Sequence, residues 1–98
     1  MNQVVLSAWI VEASPLRYTP AGMPALDVRL EHESELSEAG RERKVKAAIR
    51  AVALGSVAEA LSQQAVGSGW TFSGFLATPR NGKHPVLHIQ SFQQTPNS

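Results

Sequence analysis

Apolar residues in this chain recur at alternate positions over several stretches, and that period predicts strands. Val4, Leu6, Ala8 and Ile10 share one parity and Val5, Ser7, Trp9 and Val11 the other, so the first segment reads as a strand buried on one face and partly on both. In ALDVRLEHE, residues 25–33, Leu26, Val28 and Leu30 point one way and Asp27, Arg29 and Glu31 the other, the pattern of a half-buried strand. Between them, SPLRYTPAGMP holds three prolines and a glycine in eleven residues. No helix survives that density of breakers, so a bent loop or a short irregular hairpin is expected. SELSEAG, residues 34–40, is polar and ends in Gly40, which predicts an exposed loop.

Further along, GSVAEALSQQAVG predicts a helix of two to three turns. Ser56 and Glu59 form a capping box, Val57, Ala58, Leu61 and Ala65 an apolar stripe, and Gly67 a left-handed stop. GWTFSGFLATP sets Trp70, Phe72, Gly74 and Leu76 against Thr71, Ser73, Phe75 and Ala77, a core strand with a glycine where the backbone bends or is closely approached. Asn81-Gly82 is a hairpin signal, VLHIQSF a last strand, and residues 93–98 a frayed tail.

RERKVKAAIR, residues 41–50, stays open on local evidence. As a strand it points Val45, Ala47 and Ile49 inward and Lys44, Lys46 and Arg50 outward. As a helix, Val45, Ala48, Ile49, Val52 and Ala53 form a stripe that the alanines, lysines and arginines favour by propensity. A helix there would meet the next one head to tail across Gly55 alone. The strand alternative gives the order β-β-β-α-β-β, that of an all-β, five-stranded oligonucleotide-binding (OB) barrel with one short helix between strands 3 and 4.

Composition narrows the function. Ninety-eight residues, 43% hydrophobic and 17% charged, make one folded domain, 1–98. The absence of cysteine excludes disulfides and thiolate metal sites. The N-terminus lacks a basic region and cleavage site, and no apolar run is long enough to span a membrane, so a soluble cytoplasmic protein with no membrane contact is expected. Net charge is only +1, yet residues 1–40 carry two cations against six carboxylates and residues 41–98 seven against two. That asymmetry predicts a basic face, the electrostatic footprint of a polyanion partner, beside an acidic one. His84 and His88 lie about 13 Å apart on a strand and cannot share a metal. With one aspartate and no G-x-S-x-G, H-E-x-x-H or P-loop pattern, neither an enzyme nor a metal or cofactor site is expected.

Pro15-Leu16-Arg17-Tyr18-Thr19-Pro20 with Gly22, between the first two strands, resembles bacterial single-stranded DNA-binding proteins. Leu6-Ser7, Gly22-Met23-Pro24, Leu30-Glu31-His32, Glu38-Ala39-Gly40, Val66-Gly67-Ser68, Gly74-Phe75, Asn81-Gly82 and Val86-Leu87-His88 carry a closer resemblance, over essentially the whole chain, to the primosomal replication protein N (PriB) family. The resemblance implies an OB-fold homodimer that binds single-stranded DNA and works with a PriA-type helicase and other primosome proteins in replication restart. It also implies that residues 43–54 are the third barrel strand. Residues 93–98 hold no acid, so the acidic-tipped tail of the longer single-stranded DNA-binding proteins is not expected here. The alternatives are a short tetrameric single-stranded DNA-binding protein and an OB adaptor that binds only proteins.

On this reading Arg43, Lys44, Lys46 and Arg50 line the strand, with Lys44 and Lys46 about 7 Å apart and Arg50 about twice that beyond. Arg80, Lys83 and His84 form a second cluster on the hairpin, and Arg17, Tyr18 and Phe75 supply a further cation and stacking rings. The bland alternatives are a solvated strand face and a charged hairpin kept soluble. Enterobacterial relatives place an aromatic and a cation where this chain has Lys46 and Glu33, which predicts weaker DNA binding with a steeper dependence on salt.

Overall fold

The computed structural model describes residues 1–95. The elements run β1 (Val4–Ala13), β2 (Arg17–Tyr18), β3 (Pro24–Glu38), β4 (Arg41–Leu54), α1 (Ser56–Ser62), β5 (Gly69–Ala77) and β6 (Val86–Gln93). The hydrogen-bonded order β1-β5-β6-β4-β3, with β1 pairing back onto β3, closes five strands into a barrel, and β2 adds a short flap on β3. This is the expected OB architecture, with α1 between the third and fourth barrel strands.

Residues 43–54 are extended. β4 pairs with β3 without a break from Ala25↔Leu54 to Glu38↔Arg41. Ala51 and Ala53 are buried, while Lys44, Lys46 and Arg50 are exposed. The helical propensity of the lysines, arginines and alanines is overridden because only the strand places Ala51 and Ala53 in the barrel. The core holds Phe72, Ile10, Leu26, Leu30, Leu61 and Leu87, each contributing about 1.5–3 kcal/mol on burial. α1 covers one end of it with Ala58 and Leu61.

Gly74 performs the close approach expected of it. The β5–β6 register slips between Ser73 and Gly74, leaving Gln90 of β6 without a partner, and a Cβ at Gly74 would run into the His88 carbonyl oxygen. Trp70 packs edge-on against Phe92, with ring centroids 5.2 Å apart.

Several expectations change. SELSEAG is not a loop: Ser34–Glu38 continue β3, and only Ala39 (φ 52°) and Gly40 (φ 77°) make the turn. Two left-handed residues give the twist that a two-residue hairpin demands. The capping box does not form, because Ser56 is already helical and Gly55, with φ 73°, occupies the N-cap. The helix stops at Ser62, and Gly67 (φ 96°) instead turns the chain so that its N–H donates to the Ile10 carbonyl at 2.6 Å. Ala65 is exposed outside the helix.

Leu76 keeps the parity of Phe72 and stands opposite the buried Leu87, but it is 38% exposed, one residue from the end of β5. Asn81-Gly82 is not a tight hairpin. β5 and β6 separate after Ala77↔Val86, and Gly82 closes a turn onto the Pro79 carbonyl inside the loop 78–85. Gln93 is still in β6, opposite Thr71, and the rest of the predicted frayed tail from 96 to 98 lies outside the described residues.

Candidate nucleic-acid interface

One face of the β3–β4 pair looks outward, and the register decides which charges meet there. Along β4 this face presents Lys44, Lys46, Ala48, Arg50, Val52 and Leu54; opposite them on β3 stand Glu35, Glu33, Glu31, Arg29 and Asp27, up to Val52. Lys46 faces Glu33, Lys44 faces Glu35, and Lys44 Nζ reaches Glu33 Oε1 at 3.7 Å. The acidic and basic halves of the chain therefore interleave on this face instead of forming separate ones. Glu33 and Lys46 are cross-strand partners, and each supplies the other with an opposite charge.

The row changes character toward the barrel. Arg50 stands opposite Arg29, and Arg29 opposite Glu12 on β1. Like charges directly opposite each other are unfavourable and an anion between two guanidinium groups relieves them, which makes the Arg29–Arg50 pair, with Glu12 on its β1 side, a candidate phosphate contact. Arg29 was read from the sequence only as an outward position. Its importance comes from its register partner, which alternation does not reveal.

Arg43 has the other parity. It faces the reverse side of the hairpin beside Leu36 and pairs with Glu38 Oε1 at 3.3 Å, so it is not in line with Lys44, Lys46 and Arg50.

β2 brings Arg17 and Tyr18 alongside. Arg17 is held in a two-pronged pair with Asp27, Nε to Oδ2 at 2.7 Å and a second nitrogen to Oδ1 at 3.2 Å, with both side chains about half exposed. The hydrogen bond to Asp27 and then its charge raise the pKa of Arg17, so the guanidinium stays charged at any working pH. Tyr18 is 65% exposed next to it. From the other side the loop 78–85 presents Arg80, Lys83 and His84, all exposed. Lys83 and His84 share a groove with Arg50 and Ile49, whereas Arg80 lies outside it.

Phe75 is stacked flat on His88 of β6, with centroids 4.9 Å apart and planes within 10°. His88 lines a cleft with Arg17, Asp27 and Arg50. The sequence reading missed His88 in this setting, because only the β5–β6 register pairs it with Phe75. His32 is structural: its Nδ1 donates to the Ser7 carbonyl at 2.6 Å, which leaves Nε2 to accept from the Ser34 hydroxyl at 2.8 Å. Among the described residues no group of three His, Cys, Asp or Glu could hold a metal ion. None of their helices is long and apolar enough to cross a membrane.

The outward face thus brings together exposed cations and exposed or half-buried rings. Residues 2–91 match a family model whose description is another single-strand binding protein family. The replication restart protein PriB of Bordetella pertussis is 43% identical over 99 aligned positions, covering all of this chain and 92% of that protein. The replication restart protein PriB of Neisseria gonorrhoeae is 44% identical over 94, covering 95% and 93%. A solved structure of PriB from Ralstonia solanacearum superposes with a TM-score of 0.86 at 35% identity, covering 96% of this chain and 97% of that one.

Proposed function

Because the chain belongs to the PriB family of replication restart proteins within the single-strand binding proteins, we propose that it binds single-stranded DNA as an accessory protein of bacterial replication restart. The observation that carries this reading is the convergence of Arg29, Arg50, Arg17 and Lys83 on the open face of β3 and β4, between the loops after β1 and β5. Cations there neutralise phosphates and release counterions, and rings stack on bases without reading sequence. No covalent step is involved.

The protein works as a homodimer in the cytoplasm, beside a PriA-type helicase and other primosome proteins. The exposed strip Val5, Trp9 and Val11 on the outer face of β1, 62%, 45% and 36% exposed, supports a dimer built through that strand. Solution mass separates this from a tetramer.

Fluorescence anisotropy with labelled oligothymidylate at several salt concentrations tests the reading. About three phosphate contacts give a slope of log K against log salt near −2, at roughly −0.7 per contact. Absence of binding at low salt would overturn it and favour an adaptor that meets only proteins.

A further inference from the structure

The chain has six aromatic rings, two Trp, one Tyr and three Phe, and their placement limits where a base can stack. Phe72 is in the core, with Trp70 and Phe92 packed against it. Trp9 on β1 stands opposite Glu31 and shares a shallow pocket with Lys46 and Ala48, so its ring lies beside the lysines and not at the cleft of Arg17 and Arg50. The outward face of β4 carries no ring at all, since its side chains are lysine, alanine, arginine, valine and leucine. At the cleft of Arg17 and Arg50 itself, beside Tyr18, one pair of rings remains, Phe75 with His88.

That pair sits in a defined place. Asp27, Val52, His88 and Phe75 form one transverse row across β3, β4, β6 and β5. Phe75 covers one face of the imidazole, so the other face is turned toward Val52, where a cleft of about 770 Å³ opens. Its floor is apolar, with Val52, Leu54 and Val86, and its rim carries Arg50 and the Arg17–Asp27 pair. An apolar floor, a half-buried imidazole lining the cleft and Arg50 at the edge beside the Arg17–Asp27 pair match the chemistry of a nucleotide, with the base inward and the phosphate at the rim.

We propose that His88, backed by Phe75, is the stacking wall of a subsite that takes one unpaired nucleobase of the bound strand. The proposal rests on the single-stranded DNA reading above and assigns it a particular base contact. Phe75 acts as a positioning residue: it fills the space on the β5 side and holds the imidazole plane upright.

The test uses the full chain and two labelled probes of equal length, oligothymidylate and an abasic sugar-phosphate strand. Wild-type protein binds the thymidylate strand more tightly. His88→Leu, which keeps the bulk and loses the π face, weakens thymidylate binding by about 5- to 100-fold, the loss of one base–aromatic stack. It leaves abasic binding unchanged, and His88→Tyr restores the difference.

Equal affinity of the wild type for both probes would overturn the subsite while leaving DNA binding intact, and needs no variant to fold. So would a His88→Leu loss shared equally by the two probes, or thymidylate binding that the substitution leaves untouched. A wild type that binds neither probe removes the single-stranded DNA reading itself, and the subsite with it.

Discussion

Within the barrel, where Ala25–Glu31 of β3 face Ala48–Leu54 of β4, the strand pair has an inside and an outside; beyond it, where residues 32–38 face 41–47, both sides meet water. β1 accompanies β3 only from Val28 to Glu31, and β6 accompanies β4 only from Ala51 to Ala53. The rest projects as a two-stranded ribbon, roughly 20 Å long at 3.4 Å per residue. That fits the 51 × 31 × 23 Å envelope. In the barrel, burial fixes which side chains point out, and Arg29 and Arg50 are forced together. On the ribbon no core imposes a choice, and the charges pair across the strands instead. Cations of equal formal charge therefore differ in what they offer a phosphate.

The largest effect that sharpens this contrast is on stability, along a single strand. Leu30 is fully buried and Leu36 is 44% exposed on the ribbon. Leu30→Ala lowers unfolding free energy by about 2–5 kcal/mol, whereas Leu36→Ala changes it by less than about 0.5 kcal/mol. Urea unfolding of the two variants checks this, and similar losses would mean that the ribbon is packed against something.

Next in size is the division of DNA affinity between the two regions. Arg29→Ala with Arg50→Ala weakens oligothymidylate binding by about tenfold or more and lowers the salt slope by about 1.4, at roughly 0.7 for each lost phosphate contact. Lys44→Ala with Lys46→Ala removes as much charge but weakens binding only about two- to threefold, because Glu33 and Glu35 stand directly opposite those lysines and Lys44 already reaches Glu33. If the lysine pair costs more than the arginine pair, the ribbon is the principal contact and the contrast is broken.

The same logic runs in reverse at the acids. Glu33→Gln with Glu35→Gln leaves the ribbon shape unchanged and frees both lysines, so affinity rises about two- to fivefold with a steeper salt slope. An unchanged titration would show that the ribbon does not reach the DNA.

How far the sequence foretold this arrangement depends on whether a residue's meaning is local. The alternation of Leu26, Val28 and Leu30 against Asp27, Arg29 and Glu31 is a local pattern, and β3 matches it there. Ser34–Glu38 have no buried face, so they carry no such pattern and resemble a loop, although they pair as firmly as the rest. RERKVKAAIR was undecidable because propensity and alternation disagreed within it; its partner strand resolves the conflict. The outward direction of Lys44, Lys46 and Arg50 followed from parity, while Arg43 has the opposite parity and falls on the other side. What alternation could not supply is register. Glu33 opposite Lys46, Arg29 opposite Arg50 and Phe75 against His88 all depend on which residue of one strand meets which of the next.

The smallest effect separates the two kinds of charge pairing inside the site itself. Arg17 belongs to the barrel end of the interface, yet Asp27 holds it as the acids hold the ribbon lysines, and with better geometry. An exposed pair of this kind contributes only about 0–1 kcal/mol to folding, so Asp27→Asn lowers stability slightly at most. Its effect on DNA is of opposite sign: one carboxylate leaves the rim of the cleft, Arg17 becomes free for a phosphate, and affinity rises about twofold.

The double variant carrying Asp27→Asn and Arg17→Ala isolates the coupling. Arg17→Ala costs little in the wild-type background, where Asp27 occupies the guanidinium, and about threefold more once Asp27 is gone. Equal costs in the two backgrounds would mean that DNA displaces Asp27 without effort. Arg17 would then count among the free cations of the barrel end instead of the compensated ones of the ribbon.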